Sequence, residues 1–412
     1  MSVGGAMMVA ILVAAAWGGC GGRQALPGET AGPGGGERAA APGQGTISDG
    51  RTSEGRSLAE ADHGGAPDGG RGAAEGVSHS GAPGGFWSGM PVDSLIRPGE
   101  KHFRRLYQLT NGGENAEAYF SWDGKDLILQ ATVRDAECDQ IYTIPATGGA
   151  LRLVSTGTGR CTCSYFMPGD REIIFSSTHL AGPACPPKPD FSQGYVWALY
   201  DSYDVFIARR DGSGLRRLTE TPGYDAEATA GPDGTIIFTS DRDGDLELYS
   251  MKPDGSNVKR LTHEPGYDGG AFFSADGRRI CYRASRPAPG AELEDYQRLL
   301  SLGLIRPSRL DIYIMDADGG NKIRLTEWDA ASFCPFFHPS GDKVIFTSNV
   351  HDPAGRNFDL YLVDIATRKT ERISTEETFD GFPMFFSDGK RLVFASNRSA
   401  ERPGETNVFM AE

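Results

Sequence analysis

Acidic side chains that could hold a positively charged or polyhydroxyl ligand recur at wide intervals along this 412-residue chain. Carboxylates that converge in space can bind a cation or pair with a basic group. The candidates are Glu117, Asp225, Glu227, Asp268 and Asp380. An Asp at the start of a strand can equally cap the N–H groups of a turn, and three of the five occupy such positions. Glu117 and Glu227 fall within predicted strands, where capping does not account for them.

A second candidate for binding is the segment His179–Asp204, which carries five Phe, Tyr and Trp side chains. Tyr and Trp often anchor interfaces because they bury a large area with few rotatable bonds. We expect Tyr195 and Trp197 to face solvent and to form one binding face with Arg160 and the acidic residues. The alternative is that these aromatic side chains pack the segment onto its own sheet.

Cysteines cluster in the same part of the sequence, as Cys138, Cys161, Cys163 and Cys185. An oxidising compartment would permit a disulfide, and the pattern favours Cys163 with Cys185. A zinc site is the alternative, but the CxxC spacing typical of such sites is absent and no His lies nearby in sequence. No metal ion is therefore predicted.

The motifs that mark common catalytic sites are missing from the chain. It contains no GxSxG elbow, no HExxH pair and no phosphate-binding P-loop. The acidic run 241–245 resembles a calcium loop only in composition, since it lacks the twelve-residue spacing and the final Glu. No catalytic residue and no cofactor are predicted.

These side chains must be positioned by a repeated unit of four short strands. The hydrophobic residue that closes the second strand recurs six times, at Leu129, Phe175, Phe238, Tyr282, Phe346 and Phe394. The third strand recurs with each copy, and a fourth strand ends in Leu-Thr or a close variant. Repetition of four-stranded sheets at about 40–45 residues is typical of a β-propeller.

The sixth fourth-strand motif precedes all the others, in Phe103–Thr110. The sequence therefore predicts an all-β, six-bladed propeller whose last blade is closed by an N-terminal strand. Two blades carry long insertions, His179–Asp204 and Ser285–Leu310, both between the second and third strands. Such loops lie at the same end of a blade as the start of the innermost strand, so both insertions should lie on one face of the ring. We call it the decorated face and the opposite one the undecorated face.

The repeat resembles a known family. Its motif stands in this sequence as Asp225, Pro232-Asp233-Gly234, Ile236-Ile237-Phe238, Leu248-Tyr249, Asp254-Gly255-Ser256 and Arg260-Leu261-Thr262, and it is similar to the TolB-like β-propeller repeat. The resemblance implies the propeller fold and, for TolB itself, contact with a peptidoglycan-associated lipoprotein and a Tol-type transport assembly. This chain has a Gly-rich segment where TolB has an α/β domain.

The N-terminal segment is predicted to direct export. Residues 1–20 contain an uninterrupted apolar run, Ala6–Trp17, followed by Gly18-Gly19-Cys20. This arrangement is typical of a signal peptide that ends in a lipobox, so Cys20 is the predicted lipidation site. The alternative is a secreted protein in which Cys20 has no such role. Gly21 after the cysteine favours the outer membrane, by resemblance to enterobacterial lipoproteins.

Residues 21–85 contain 20 glycines and no Phe, Tyr or Trp, and they read as a disordered tether. Residues 86–102 read as a segment that packs on the propeller, and residues 103–412 as the propeller itself. A net charge of −14 argues against nucleic acid as the main partner.

The sequence thus predicts a monomeric, lipid-anchored envelope scaffold, periplasmic or at the cell surface. Its partner would be an envelope protein or a polysaccharide or peptidoglycan-associated molecule. The alternative is a carbohydrate- or peptide-acting enzyme, or a sugar-binding module, with its site at the channel mouth.

Overall fold

The computed structural model describes residues 89–133 and 136–412. They form six antiparallel sheets arranged as the blades of a propeller. The innermost strand of each blade contacts the innermost strand of the next, and the sixth contacts the first, which closes the ring. The predicted fold class is confirmed.

The strands of the first five blades follow the chain from the centre of the ring outwards. Blade 1 contains β3 (Glu114–Phe120), β4 (Asp126–Thr132), β5 (Gln140–Pro145) and β6 (Arg152–Leu153), and blade 2 contains β7 (Cys161–Phe166), β8 (Glu172–Ser177), β10 (Asp204–Arg209) and β11 (Arg216–Arg217). Blade 3 contains β12 (Asp225–Ala230), β13 (Ile236–Ser240), β14 (Glu247–Met251) and β15 (Lys259–Arg260), and blade 4 contains β16 (Asp268–Phe273), β17 (Arg279–Ala284), β19 (Asp311–Asp316) and β20 (Ile323–Arg324). Blade 5 contains β21 (Ser332–Phe337), β22 (Lys343–Ser348), β23 (Asp359–Asp364) and β24 (Thr370–Arg372).

Blade 6 is built from both ends of the described chain. Its inner strands are β25 (Asp380–Phe385), β26 (Leu392–Ser396) and β27 (Asn407–Ala411). The fourth is β2 (Leu106–Gln108), which pairs antiparallel with β27, and β1 (Met90–Pro91) adds a fifth strand outside it. The predicted closure by an N-terminal strand is confirmed.

The repeated aromatic residues explain why each copy folds into the same sheet. The residue that closes the second strand lies directly opposite an aromatic residue of the third strand in every blade. In five blades both residues are aromatic, with ring centroids 5.5–6.2 Å apart, as for Tyr282 with Tyr313 and Phe175 with Phe206. Cross-strand aromatic pairs of this kind stabilise the sheet and fix its register.

The hydroxyl group of the Leu-Thr motif makes the same hydrogen bond in every blade. It accepts a hydrogen bond of 2.8–3.0 Å from a backbone N–H of the third strand in all six blades. The outermost strands are only two or three residues long, so a side chain satisfies a backbone donor that a longer strand would have paired. The hydroxyls are those of Thr110, Ser155, Thr219, Thr262, Thr326 and Ser374.

Three short 3-10 helices and one α-helix complete the described part of the chain. The 3-10 helices are Asp93–Leu95, His179–Ala181 and Phe191–Gln193, and the α-helix is α1 (Ala291–Leu300). None of these helical segments is long and apolar enough to cross a membrane. The α-helix lies in the second insertion.

Candidate binding site in the central channel

One residue of each innermost strand, the fourth in blade 1 and the third in the other blades, has a left-handed backbone conformation. These residues are Glu117 (φ 53°), Cys163 (50°), Glu227 (59°), Gly270 (57°), Cys334 (52°) and Phe382 (56°). Each lies in a register shift between the first and second strands, which is a β-bulge. Positive φ is unfavourable for residues with a Cβ, so five of the six blades maintain a strained position here. We refer to the six residues as the bulge ring.

The bulge ring lines a small cavity of about 30 Å³ in the channel. Toward the undecorated face the channel is filled by aromatic side chains. Tyr119 of blade 1 reaches Phe272 of blade 4 with ring centroids 5.2 Å apart, and Phe272 also contacts Phe336 at 5.4 Å. Toward the decorated face the cavity is lined by Trp197 of the first insertion and Phe333.

Within the cavity, Glu227 is held by four donors. Its carboxylate accepts hydrogen bonds from the Tyr267 hydroxyl (2.7 Å), the Thr239 hydroxyl (2.8 Å), the backbone N–H of Gly270 (2.8 Å) and the Arg283 guanidinium. The charge of Arg283 and these hydrogen bonds outweigh burial and lower the pKa of Glu227. Glu227 is therefore an ionised, structural partner of Arg283.

Gly270 is required at its place in the ring. A Cβ there would lie 1.8 Å from Nη1 of Arg283, and the backbone φ is positive. Glycine alone leaves room for the arginine beside Glu227.

Glu117 lies in the same cavity in a different environment. It is 6% exposed, and the one hydrogen-bond contact of its side chain is with the Cys163 thiol, Sγ to Oε1 at 3.8 Å. Burial raises the pKa of Glu117 to about 7, and the neighbouring charge of Glu227 acts in the same direction. The cavity therefore holds one fixed carboxylate and one that titrates near neutral pH.

The two insertions meet over this end of the ring. Strand β9 (Trp197–Ala198) of the first pairs antiparallel with β18 (Leu304–Ile305) of the second, and the N–H of Leu199 donates to Gly303 O at 2.7 Å. Trp197, Ile305 and Phe333 belong to one buried cluster with side chains of the surrounding blades. We call the paired insertions the lid.

The predicted exposure of Trp197 is wrong, because the pairing with β18 buries the side chain to 5% exposure. Its indole N–H donates to the Tyr195 hydroxyl at 2.9 Å, and Tyr195 is half-buried. Both residues lie in the lid as expected, but Trp197 faces the cavity.

The acidic residues at the strand starts do not converge on the cavity. Asp225, Asp268 and Asp380 are buried and pair within their own blades with Arg242 (2.8 Å), Arg286 (2.7 Å) and Arg398 (2.8 Å) respectively. The expected convergence of the five carboxylates is wrong for these three, and capping is not their role either. Tyr224 N–H, for example, is capped by Asp241 at 2.8 Å.

Arg160 and the cysteines also differ from expectation. Arg160 precedes β7 by one residue and is buried, with Nε 3.9 Å from Asp139 Oδ2. Cys185 is bonded to Cys138, with the Cα atoms 5.7 Å apart, so the predicted Cys163–Cys185 pairing is wrong. The reason is that the bulge turns Cys163 into the channel, whereas Cys138 and Cys185 lie in neighbouring loops between second and third strands.

The sequence alone does not predict a binding role for Arg283 or for four residues of the bulge ring, namely Cys163, Gly270, Cys334 and Phe382. The ring lies at one equivalent position of the repeat, two residues after Asn115, Cys161, Asp225, Asp268, Ser332 and Asp380, so aligning these residues would have identified it. Arg283 occupies the strand position that holds Thr239 in blade 3 and Thr347 in blade 5. A charged residue at a strand position that holds Thr in two other blades could have indicated the site from the sequence. Within the described residues, no group of three or more His, Cys, Asp or Glu is placed to hold a metal ion.

The fold and its repeats define a six-bladed β-propeller. Residues 188–292 match the family described as the TolB beta propeller domain. A protein assigned as TolB from Agrobacterium tumefaciens is 20% identical, with a TM-score of 0.50 over 73% of this chain and 90% of that one. TolB from Acinetobacter baumannii is 18% identical, with a TM-score of 0.49 over 67% of this chain and 61% of that one.

A propeller enzyme is also among the similar structures. An oligogalacturonate lyase from Vibrio parahaemolyticus is 10% identical, with a TM-score of 0.46 over 80% of this chain and 96% of that one. The resemblance to the TolB-like propeller is confirmed at the level of fold, and this fold suits a binding scaffold.

Proposed function

We propose that this protein is a lipid-anchored scaffold of the cell envelope that binds a protein partner through the lid. The single observation that carries the proposal is the union of the two insertions in one structure over the channel. Loops that extend a rigid scaffold are the usual place for binding residues.

The surface of the lid supports this choice of face. Leu180 (57% exposed), Phe191 (47%) and Leu302 (58%) are the most exposed large apolar side chains of the two insertions. Gln193 joins the segment that carries Phe191 to α1, since its Oε1 accepts from Arg298 at 2.9 Å and its backbone O accepts from Arg306 at 2.9 Å. Exposed apolar side chains with a polar surround are typical of a protein interface.

A carbohydrate- or peptide-acting enzyme remains the alternative function. The observation that favours it is the pKa of Glu117, about 7, which suits a general acid or base near neutral pH. Against it, Trp197 and the aromatic side chains around Phe272 bound the cavity on both sides. A polymer could reach Glu117 only after the lid opens.

Changing Phe191 and Leu302 together to Ser should weaken partner capture at least about tenfold, equivalent to about 1.4 kcal/mol. Photo-cross-linking from Tyr195 in intact envelopes, followed by titration of the captured partner, measures the effect. Val258→Ser is the matched control, because Val258 is 41% exposed and follows a turn on the opposite face. Equal loss in the control, or no loss in the double variant, would place binding elsewhere.

Anchoring is tested separately at Cys20, which lies outside the described residues. Labelled fatty acid should enter the wild-type protein and be absent from Cys20→Ala, because the acyl groups need that thiol. Cys334→Ala serves as the control and should retain the label. Equal labelling of Cys20→Ala and wild type would show that the protein is not a lipoprotein at this residue.

The tether and the packing segment, residues 21–85 and 86–102, belong to the same proposal. Residues 21–88 lie outside the described part of the chain. For the packing segment, the described side chains Val92, Leu95 and Ile96 contact the apolar cluster of blades 5 and 6. We propose that the segment fixes the point at which the tether leaves the propeller.

A further inference from the structure

The cavity contains a buried carboxylate that receives no hydrogen bond from an N–H group of residues 89–133 and 136–412. Glu117 is more than nine-tenths buried and lines the cavity. Its carboxylate has the Cys163 thiol as its one hydrogen-bond contact, a weak donor at 3.8 Å. Glu227, across the same ring, receives four donors. A buried carboxylate without donors is unfavourable as an anion unless a positive charge lies beside it.

Within the part of the chain that the structure describes, no cation is bonded to Glu117, and the charge of Arg283 offsets its burial only in part. Arg283 is the basic side chain that lines the cavity, and its guanidinium is bonded to Glu227 and to Tyr267. With both glutamates ionised, the cavity holds two negative charges and one positive charge. One further positive charge would balance it.

The remaining walls of the cavity suit a cation as well. They are largely aromatic, and the faces of aromatic rings attract ammonium and guanidinium groups. Arg283 itself shows this preference, because its guanidinium lies 5.6 Å from the centre of the Trp197 ring and 4.8 Å from that of Tyr267. The aromatic residues of the wall are Tyr119, Trp197, Phe272, Phe333 and Phe382.

We infer that the cavity binds the guanidinium or ammonium group of a basic side chain, presented by the partner that the lid captures. The inference rests on the proposed function and names the chemistry of its ligand. A cavity of about 30 Å³ admits at most the tip of one long side chain and not a folded segment. Entry requires the lid to open at β9 and β18, which are joined by two residue pairs.

Binding should strengthen as the pH rises through neutrality. The groups that face Glu117 from the neighbouring elements are Cys163, Glu227, Arg283, Cys334 and Asp139, with Tyr119 on its own strand. Burial raises the pKa values of Cys163, Cys334 and Tyr119 well above their usual range, so these groups stay neutral. Burial also raises the pKa of Asp139, while that of Glu117 is about 7, so Glu117 gains its charge as the pH rises from 5.5 to 8 and its ionised form attracts the cation.

The test uses N-acetyl-arginine methylamide and its neutral isostere N-acetyl-citrulline methylamide as probes of the full-length protein. At pH 8 the arginine probe should bind at least about tenfold more tightly than the citrulline probe, by calorimetry or by ligand-observed NMR. At pH 5.5 the preference should fall by at least about fivefold. Glu117→Gln should abolish it at both pH values.

Asp254→Asn is the control, because it also removes one carboxylate but lies in an exposed turn of the opposite face. It should leave the preference for arginine intact. The ratio of two affinities in one variant is unaffected by a partial loss of folded protein.

Equal binding of the two probes, binding of neither probe, or a preference that survives Glu117→Gln would overturn the inference. The proposed function is tested independently by the cross-link from the lid. A cross-linked partner without a preference for arginine would refute the cation site alone. Failure of the cross-link would instead refute the proposed function.

Discussion

Deleting residues 1–111 is expected to unfold the propeller, whereas deleting residues 1–88 should leave its melting temperature unchanged. The longer deletion removes β2 and so exposes the edge of β27. It also removes Phe103, Leu106 and Leu109, which are at most 8% exposed. Burial of three such side chains contributes about 5–8 kcal/mol, comparable with the whole stability of a typical domain.

Deletion of residues 1–98 provides a graded intermediate. It removes β1 and the 3-10 helix Asp93–Leu95 but keeps β2 and the Glu100 carboxylate. We expect a lower melting temperature with a cooperative transition, measured by circular dichroism on purified variants. Similar melting curves for the deletions to residues 88 and 111 would show that β2 does not close the ring.

Replacing Arg398 with Gln should destabilise the protein by about 3 kcal/mol or more, which corresponds to about 6 °C or more in melting temperature. Arg398 is completely buried and contacts two carboxylates, Glu100 at 3.1 Å and Asp380 at 2.8 Å. Both would remain buried without their counter-ion, and an uncompensated buried charge is costly. Thermal unfolding at pH 7 measures the effect.

Arg242→Gln is the matched control, because Arg242 occupies the same position in blade 3. Its side chain is 15% exposed and pairs with one carboxylate, Asp225 at 2.8 Å. The expected loss is about 1–2 kcal/mol, smaller than that of Arg398→Gln. Equal losses in the two variants would mean that the second carboxylate, and with it the link between Glu100 and blade 6, contributes nothing.

Periodicity made the fold predictable from the sequence. A residue such as Phe238 and its partner Tyr249 lie eleven residues apart, so the pattern of one copy already determines their pairing. The position of the insertions followed from the same register. The Leu-Thr motif predicted even the displaced strand β2, which ends two residues before Thr110. The Thr110 hydroxyl accepts from Val408 N–H, as its counterparts accept from the third strands of the other blades.

The site was predicted less well because its contacts cross between blades and have no period. Trp197 was expected at the surface, since nothing in the sequence relates β9 to β18 across more than one hundred residues. The sequence predicts a common site for Asp225, Asp268 and Asp380, because nothing in it relates each Asp to the arginine with which it pairs in a separate turn. Cys163 was assigned to a disulfide because a β-bulge, which rotates its side chain into the channel, leaves no mark on the local composition.

The pairing of the closing strand β2 with β27 also determines when folding of the propeller can be completed. Pairing inside blades 1 to 5 joins residues close in sequence, whereas the bond from Val408 N–H to Thr110 spans 298 residues. Loop-closure entropy grows only logarithmically with length, so this costs little equilibrium stability. Folding rate, however, falls steeply as contacts become less local.

A nascent chain therefore carries β2 without its partner until β27 has been made and, for an exported protein, translocated. During that interval the apolar Leu106 and the unpaired edge of the strand are open to wrong pairing. Ring closure becomes a late step controlled by the last strand to arrive, and chaperones of the compartment in which the ring closes would act on this intermediate.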